Sequence, residues 1–273
     1  MAAREEDMSF LDHLEELRWH LVRSLGAILV FAIAAFMAKS FVWHSVILAP
    51  SRIDFWTYEM LCVMAEKLNT PVLCIEQLPF TIQSRQMTGQ FTMHITSSMV
   101  IGIILAFPYA FWELWKFISP GLYDKEKNAA RGATFFVSIL FIAGISFGYY
   151  IITPLSVNFL SNYQVDPSVL NEFDITSYVS TLSMIVLASG MMFQLPVVVY
   201  FFTQAGFVTP QLMRSFRRHS IVVIFVLAAI ITPPDVFSQI LISIPLLVLY
   251  EISIYISAGV LKRKKREEMK GQV

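Results

Sequence analysis

The chain has 273 residues, 56% hydrophobic and 15% charged, and twenty Lys+Arg balance twenty Asp+Glu. Soluble domains carry about a quarter charged residues, so this composition, with a mean hydropathy of +0.63, excludes an ordinary soluble globule and predicts an all-α polytopic membrane protein. A zero net charge gives no reason to expect a nucleic-acid partner.

The N-terminal stretch MAAREEDMSFLDHLEELR is charged and reads as an amphipathic helix. It lacks the short basic region and small-residue cleavage site of a signal peptide, so the first apolar segment is expected to be retained as a span. Ser9-x-x-Asp12 fits a capping box, and Phe10, Leu11, Leu14, Leu17 and Leu21 form one apolar stripe. Asp12 and Glu16 lie one turn apart on the opposite face, where like charges cost a few tenths of a kcal/mol. The pair is either a solvated face or a carboxylate cluster for a cation.

A hydrocarbon core of about 30 Å needs roughly 20 apolar residues in a helix. Apolar runs at residues 21–43, 91–112, 133–152, 178–207, 219–232 and 236–261 give six predicted spans in one integral membrane domain. TPPD at residues 232–235 separates the last two, because two successive prolines cannot continue a helix. Only fourteen residues lie between Arg218 and Pro233, about 21 Å at ~1.5 Å per residue. The sixth run reaches Glu251 after a similar distance, at a depth matching Arg218. The fifth and sixth helices are therefore expected to be short, in a concave, non-cylindrical bundle.

With the N-terminus inside, Arg4, Arg18, Arg23, Lys116, Lys125, Lys127, Arg131, Arg214, Arg217, Arg218 and the basic tail at residues 262–273 all fall in the cytoplasm. Lys39, Arg52, Lys67 and Arg85 remain outside, where Asp166, Glu172 and Asp174 have no basic neighbour along the chain. Both termini are thus predicted to be cytoplasmic. The external loop at residues 44–90 contains an amphipathic segment, FWTYEMLCVMAEKL, that suits the membrane interface. It also contains Cys62 and Cys74, in a compartment that permits a disulfide. A bridge there would contribute up to about 3 kcal/mol; two unpaired thiols fit the sequence equally well.

FISPGLYDKEK, at residues 117–127, turns the chain between the second and third spans through Pro120 and Gly121. Phe117 and Tyr123 offer rings at headgroup depth. Asp124 and Glu126 add carboxylates on the cytoplasmic side, beside Lys125 and Lys127. In the third span Gly144 and Gly148 form GxxxG, a pattern for close helix packing. Phosphate-loop, His-Glu-x-x-His and Gly-x-Ser-x-Gly patterns are absent, and the five histidines lack metal-ligand spacing. No enzyme, cofactor or metal is expected, and the histidines read as loop or interface residues.

Four motifs then carry a resemblance. HLEELR (13–18), FPYAFWELWKFISPGLYDKEK (107–127), FQLP (193–196) and TPPDVFSQ (232–239) occur in the order found in the TatC family, and the chain resembles that family over its whole length. The family is the multispanning receptor subunit of the twin-arginine protein translocase. The resemblance implies a cytoplasmic receptor for the twin-arginine signal peptides of folded cargo proteins. Glu16 and Glu126 correspond to its acidic recognition residues, with Asp12, Phe117, Leu122 and Tyr123 around them. It also implies TatA/TatB-type single-span subunits as partners in a membrane oligomer, docking at Thr232 and Gln239, and transport driven by the proton gradient. Pro50, Pro108 and Asp235 match positions of structural or functional weight, the prolines as kinks and Asp235 as a helix cap. Gln194 stands where many members have Glu; an amide has no charge to titrate, and a polar docking role remains. The alternative is a proton-coupled secondary transporter of small solutes, suggested by Gln194, Glu251 and proline kinks within spans. Such a transporter should show internal repeats, and the two halves of the chain show no convincing correspondence.

Overall fold

The computed structural model describes residues 10–71, 74–118, 124–231 and 236–271. In chain order the helices are α1 (Phe10–Met37), α2 (Trp56–Leu68), α3 (Gly89–Ile118), α4 (Asp124–Phe147), α5 (Thr153–Asn162), α6 (Ile175–Met192), α7 (Leu195–Gln204), α8 (Pro210–Ser215), α9 (Arg217–Ile231) and α10 (Val236–Gly271). Two three-residue strands, β1 (Thr81–Gln83) and β2 (Glu172–Asp174), pair in parallel, Thr81 opposite Glu172. The all-α expectation is corrected to that extent. Parallel pairing across some ninety residues leaves no local pattern to read.

Among the described residues five helical segments are long and apolar enough to cross a membrane: Glu15–Met37, Gly89–Phe117, Thr134–Asn162, Ile175–Gln204 and Gln239–Lys264. The first is followed, after a turn at Ala38, by the helical residues Lys39–Phe41 and a π-helical turn at Val42–Ile47, so that helical structure covers the predicted 21–43 run. The third continues from α4 through a second π-turn, Gly148–Ile152, into α5. The fourth is α6 and α7, interrupted at Phe193-Gln194 ahead of Pro196. The predicted fifth span is α9, with only 15 residues, about 22 Å long. The sixth helix is not short as expected: α10 runs 36 residues. Its basic tail is rich in Lys, Arg and Glu, good helix formers, so the helix continues beyond the apolar run.

The residues group into two compact units, Met1–Lys39 with His94–Ile139, and Ser40–Met93 with Leu140–Val273. In the first, α1 and α3 pack closely at Gly102, where a Cβ would fall 2.7 Å from the Ile28 carbonyl oxygen. His94 stacks on Phe36 with centroids 4.0 Å apart, and its Nε2 donates to the Phe36 carbonyl at 3.1 Å.

In the second unit the GxxxG expectation holds. A Cβ on Gly144 would meet the Ser189 carbonyl at 2.6 Å, and one on Gly148 would meet the Ser189 Cβ at 2.9 Å. The third span and α6 therefore approach to backbone contact. Ile152, Ile185, Ile224, Ala228, Ile242 and Leu246 form the main core. Helices α9 and α10 are tied by Gln239 Nε2 donating to the Phe225 carbonyl (3.0 Å) and by Arg217 to Glu251 at 2.7 Å. Glu251, expected level with Arg218, pairs with its neighbour Arg217.

The layer of this unit that carries the loop predicted to be external (the external layer) centres on Ala49, Phe55 and Tyr58. Pro50 is buried in a single 3₁₀ turn. The Tyr58 hydroxyl lies 3.0 Å from the Pro50 carbonyl and 2.9 Å from that of Pro154. Cys62 and Cys74 form a disulfide, which resolves the alternative that the sequence left open. Arg85 bonds Glu172 Oε2 at 3.1 Å and, through its backbone N–H, Asp174 Oδ2 at 3.1 Å. Glu172 and Asp174 thus find a basic neighbour across the β ribbon, whereas Asp166 accepts from the Ser168 N–H and hydroxyl.

Candidate functional site

Glu16, His20 and Arg23 occupy one stripe of α1, at helical spacings of four and three. Glu113, Lys116 and Phe117 occupy one stripe of α3 at spacings of three and four. Close packing of α1 and α3 brings the two stripes together within the first unit.

Glu113 is the buried centre, with its side chain 2% exposed. Its Oε2 accepts from His20 Nδ1 at 2.6 Å and lies 3.8 Å from Arg23. Its Oε1 accepts from Lys116 Nζ at 3.3 Å. The Lys116 ammonium also sits over the Trp112 ring, 3.3 Å from its centroid, a cation–π contact. A carboxylate out of water requires such partners, because each buried ion otherwise costs several kcal/mol.

Glu16 is half-buried. Its Oε1 is 3.9 Å from His20 Nε2. Its Oε2 is shielded from solvent and has no hydrogen-bond partner among the described residues. Glu15, one position earlier, is exposed and pairs with Arg18 at 3.4 Å. The Phe117 ring is half-buried and tilted against the His20 imidazole, with centroids 6.3 Å apart. Chemically, this is an acceptor-only carboxylate oxygen in a shielded setting, suited to a multidentate cationic donor.

Of the residues expected at this site, Glu16 and Phe117 are therefore brought together. Asp12 lies in α1 and Glu126 in α4, and their side chains fall outside the described residues. Leu122 and Tyr123 lie outside them entirely, as do Thr232 and Asp235 of the later turn and Ser9 of the capping box. Gln194 stands at the α6–α7 junction, its backbone N–H on the Met191 carbonyl at 3.0 Å. Gln239 is half-buried and bonded across to α9. Pro108 is accommodated within α3.

Sequence reasoning missed Glu113 and the particular role of His20. An acid inside the aromatic run WELWKF was the available signal, since carboxylates in apolar segments need a partner. The partner lay 93 positions away, among histidines read as ordinary interface residues.

Comparison with known proteins bears on this arrangement. A family model described as Sec-independent protein translocase protein (TatC) matches residues 12–245. The Sec-independent protein translocase protein TatC of Blattabacterium sp. subsp. Periplaneta americana (strain BPLAN) is 34% identical over 266 residues, covering 97% of this chain and all of that one. TatCy of Bacillus subtilis (strain 168) is 33% identical, covering 95% of this chain and 92% of its own length. A crystal structure of the twin arginine translocase receptor TatC in DDM superposes with a TM-score of 0.70 at 32% identity, over 90% of this chain and 99% of that one. The chain belongs to the TatC family, as a multi-pass protein of the bacterial inner membrane and a non-enzymatic component of the Tat protein translocase.

Proposed function

We propose that this chain is the signal-peptide receptor of the translocase, binding twin-arginine signal sequences of folded proteins at the cytoplasmic ends of α1 and α3. The observation that carries the reading is Glu16 Oε2, shielded and unpaired among the described residues, within a motif that resembles the family's acidic site. Guanidinium is planar, permanently charged and fork-shaped, so it satisfies a carboxylate in a way that an ammonium cannot. Two adjacent arginines call for two carboxylates, and Glu126 is the second, with Asp12, Phe117, Leu122 and Tyr123 completing the patch. The solved relatives titled twin arginine translocase receptor support the same reading.

In this proposal the chain crosses the membrane six times as one integral domain, both termini inside, with the 15-residue α9 as the thin fifth crossing. TatA/TatB-type single-span subunits dock beside α9 and α10 at Thr232 and Gln239, and at Gln194. Several copies assemble in the membrane, and the proton gradient drives transport. A short crossing thins the bilayer or recruits neighbours, which supports a docking role for that edge. Gln194→Leu should then weaken crosslinking to a single-span partner; unchanged crosslinking would remove Gln194 from the docking surface.

Export of a twin-arginine precursor tests the receptor reading. Glu126→Lys should abolish export while the protein still accumulates in the membrane. Normal export by that variant would sink the assignment. Charge-assisted bonds contribute about 1.5–3 kcal/mol, so neutralising one carboxylate, as in Glu16→Gln, should weaken peptide binding roughly tenfold to a hundredfold.

A further inference from the structure

We propose that Glu113 is a positioning residue for the Glu16 carboxylate, acting through His20; this rests on the receptor reading above. An ionised carboxylate can only accept a hydrogen bond, so the 2.6 Å contact assigns a proton to His20 Nδ1. That bond fixes the imidazole plane and faces Nε2 toward Glu16 Oε1 at 3.9 Å, beyond hydrogen-bond reach, so the attraction between them acts when the ring carries its second proton as an imidazolium. The Phe117 ring closes another side of the imidazole. Facing the ring in this way, Glu16 keeps Oε1 toward the histidine, and its Oε2 has no hydrogen-bond partner among the described residues.

Glu113 also pairs with two cations. Lys116 lies 3.3 Å from Oε1 and Arg23 3.8 Å from Oε2. Glu113 itself is no acceptor for the peptide, because it is buried and both its oxygens are engaged. It shapes the site from behind.

The test is affinity for a fluorescent twin-arginine peptide, measured on the full chain in lipid nanodiscs. Glu113→Leu should weaken binding about tenfold, the size of one charge-assisted bond. Glu113→Gln, whose amide oxygen still accepts from Nδ1, should recover at least half of that loss on a logarithmic scale. His20→Ala should also weaken binding, and the double variant with Glu113→Leu should bind no worse than His20→Ala alone. Native affinity in Glu113→Leu overturns the proposal, as do equal losses in the Leu and Gln variants or losses that add in the double variant. If Glu113→Leu does not accumulate, the same cycle run with Glu113→Gln decides: further loss on top of His20→Ala overturns the proposal. Glu16→Gln is measured alongside. Native binding by that variant sinks the receptor reading itself, whereas weak binding there with a native Glu113→Leu sinks only the positioning role.

Discussion

The external layer of the second unit and the charged site of the first both bury polar groups, and they satisfy them differently. In the external layer hydroxyls meet backbone carbonyls: Tyr58 with Pro50 and Pro154, Tyr149 with Val46 (2.8 Å), Tyr178 with Ile47 (2.9 Å). Those partners are supplied by the fold. In the charged site, side chains meet side chains, and Glu16 Oε2 has no partner among the described residues. An unmade bond to a shielded carboxylate is expensive, which is why Glu16 Oε2 is the atom proposed to take the ligand. The hydroxyls of Ser183 and Ser189 in the second unit also have no hydrogen-bond partner among the described residues, so a gap points to function only where its atom can accept from a cation.

The comparison predicts that damage to the external layer lowers stability and leaves peptide affinity alone. Breaking the Cys62–Cys74 bridge, as Cys62→Ser with Cys74→Ser, should have the largest effect. Closing a loop of this length constrains the unfolded chain by about 3 kcal/mol, so the detergent-purified protein should unfold at a clearly lower temperature. A variant that loses peptide binding before stability would break the division between the two regions.

A smaller effect is expected at Tyr58. Tyr58→Phe removes the single hydroxyl hydrogen that two buried carbonyls share, a cost of about 1–3 kcal/mol, again with native peptide affinity. Burial pushes the Tyr58 phenol above its ordinary value of 10.0. Its contribution to stability is therefore complete below pH ~10, the unfolded value, and is lost as pH rises through the folded one. Unfolding followed from pH 8 to 11 should show an alkaline decline that is shallower in Tyr58→Phe. Identical alkaline profiles would remove Tyr58 from the scaffold ledger.

Much of this division was legible in the sequence. Hydropathy locates the long apolar helices because length and composition alone decide them, and the spacing of Arg218 and Pro233 fixes the brevity of α9. Gly144 and Gly148 announce close packing, since side-chain size is a local property. The bridge was permitted by compartment, but pairing required geometry. Missed features share one physical cause: they join distant residues. His20 meets Glu113 and Arg85 meets Glu172 only after helices pack, and neither contact leaves a periodic trace. The full length of α10 was missed for another reason, because hydropathy reports where lipid ends and not where a helix does.

The smallest expected effect lies at the edge of the external layer and sharpens where scaffold ends. Asp174 caps α6, its Oδ1 accepting from Thr176 N–H at 2.8 Å and from the Thr176 hydroxyl at 2.5 Å. Those bonds favour the charged form, with Arg85 adding to them, and hold the carboxyl below its ordinary 3.8. Since the folded value is depressed, the cap's contribution is present above pH ~4, the unfolded value, and disappears as pH falls through the folded one. Amide exchange around β1, β2 and the first turn of α6, corrected for intrinsic rates, should lose protection between pH 5 and 3. Asp174→Asn, which cannot ionise, should show lower protection with little dependence on pH over that range. Because the ribbon is exposed and made of only three residue pairs, its loosening should not reach the Tyr58 cluster. Loss of protection at Tyr58 in the same experiment would mean that ribbon and cluster open as one cooperative unit.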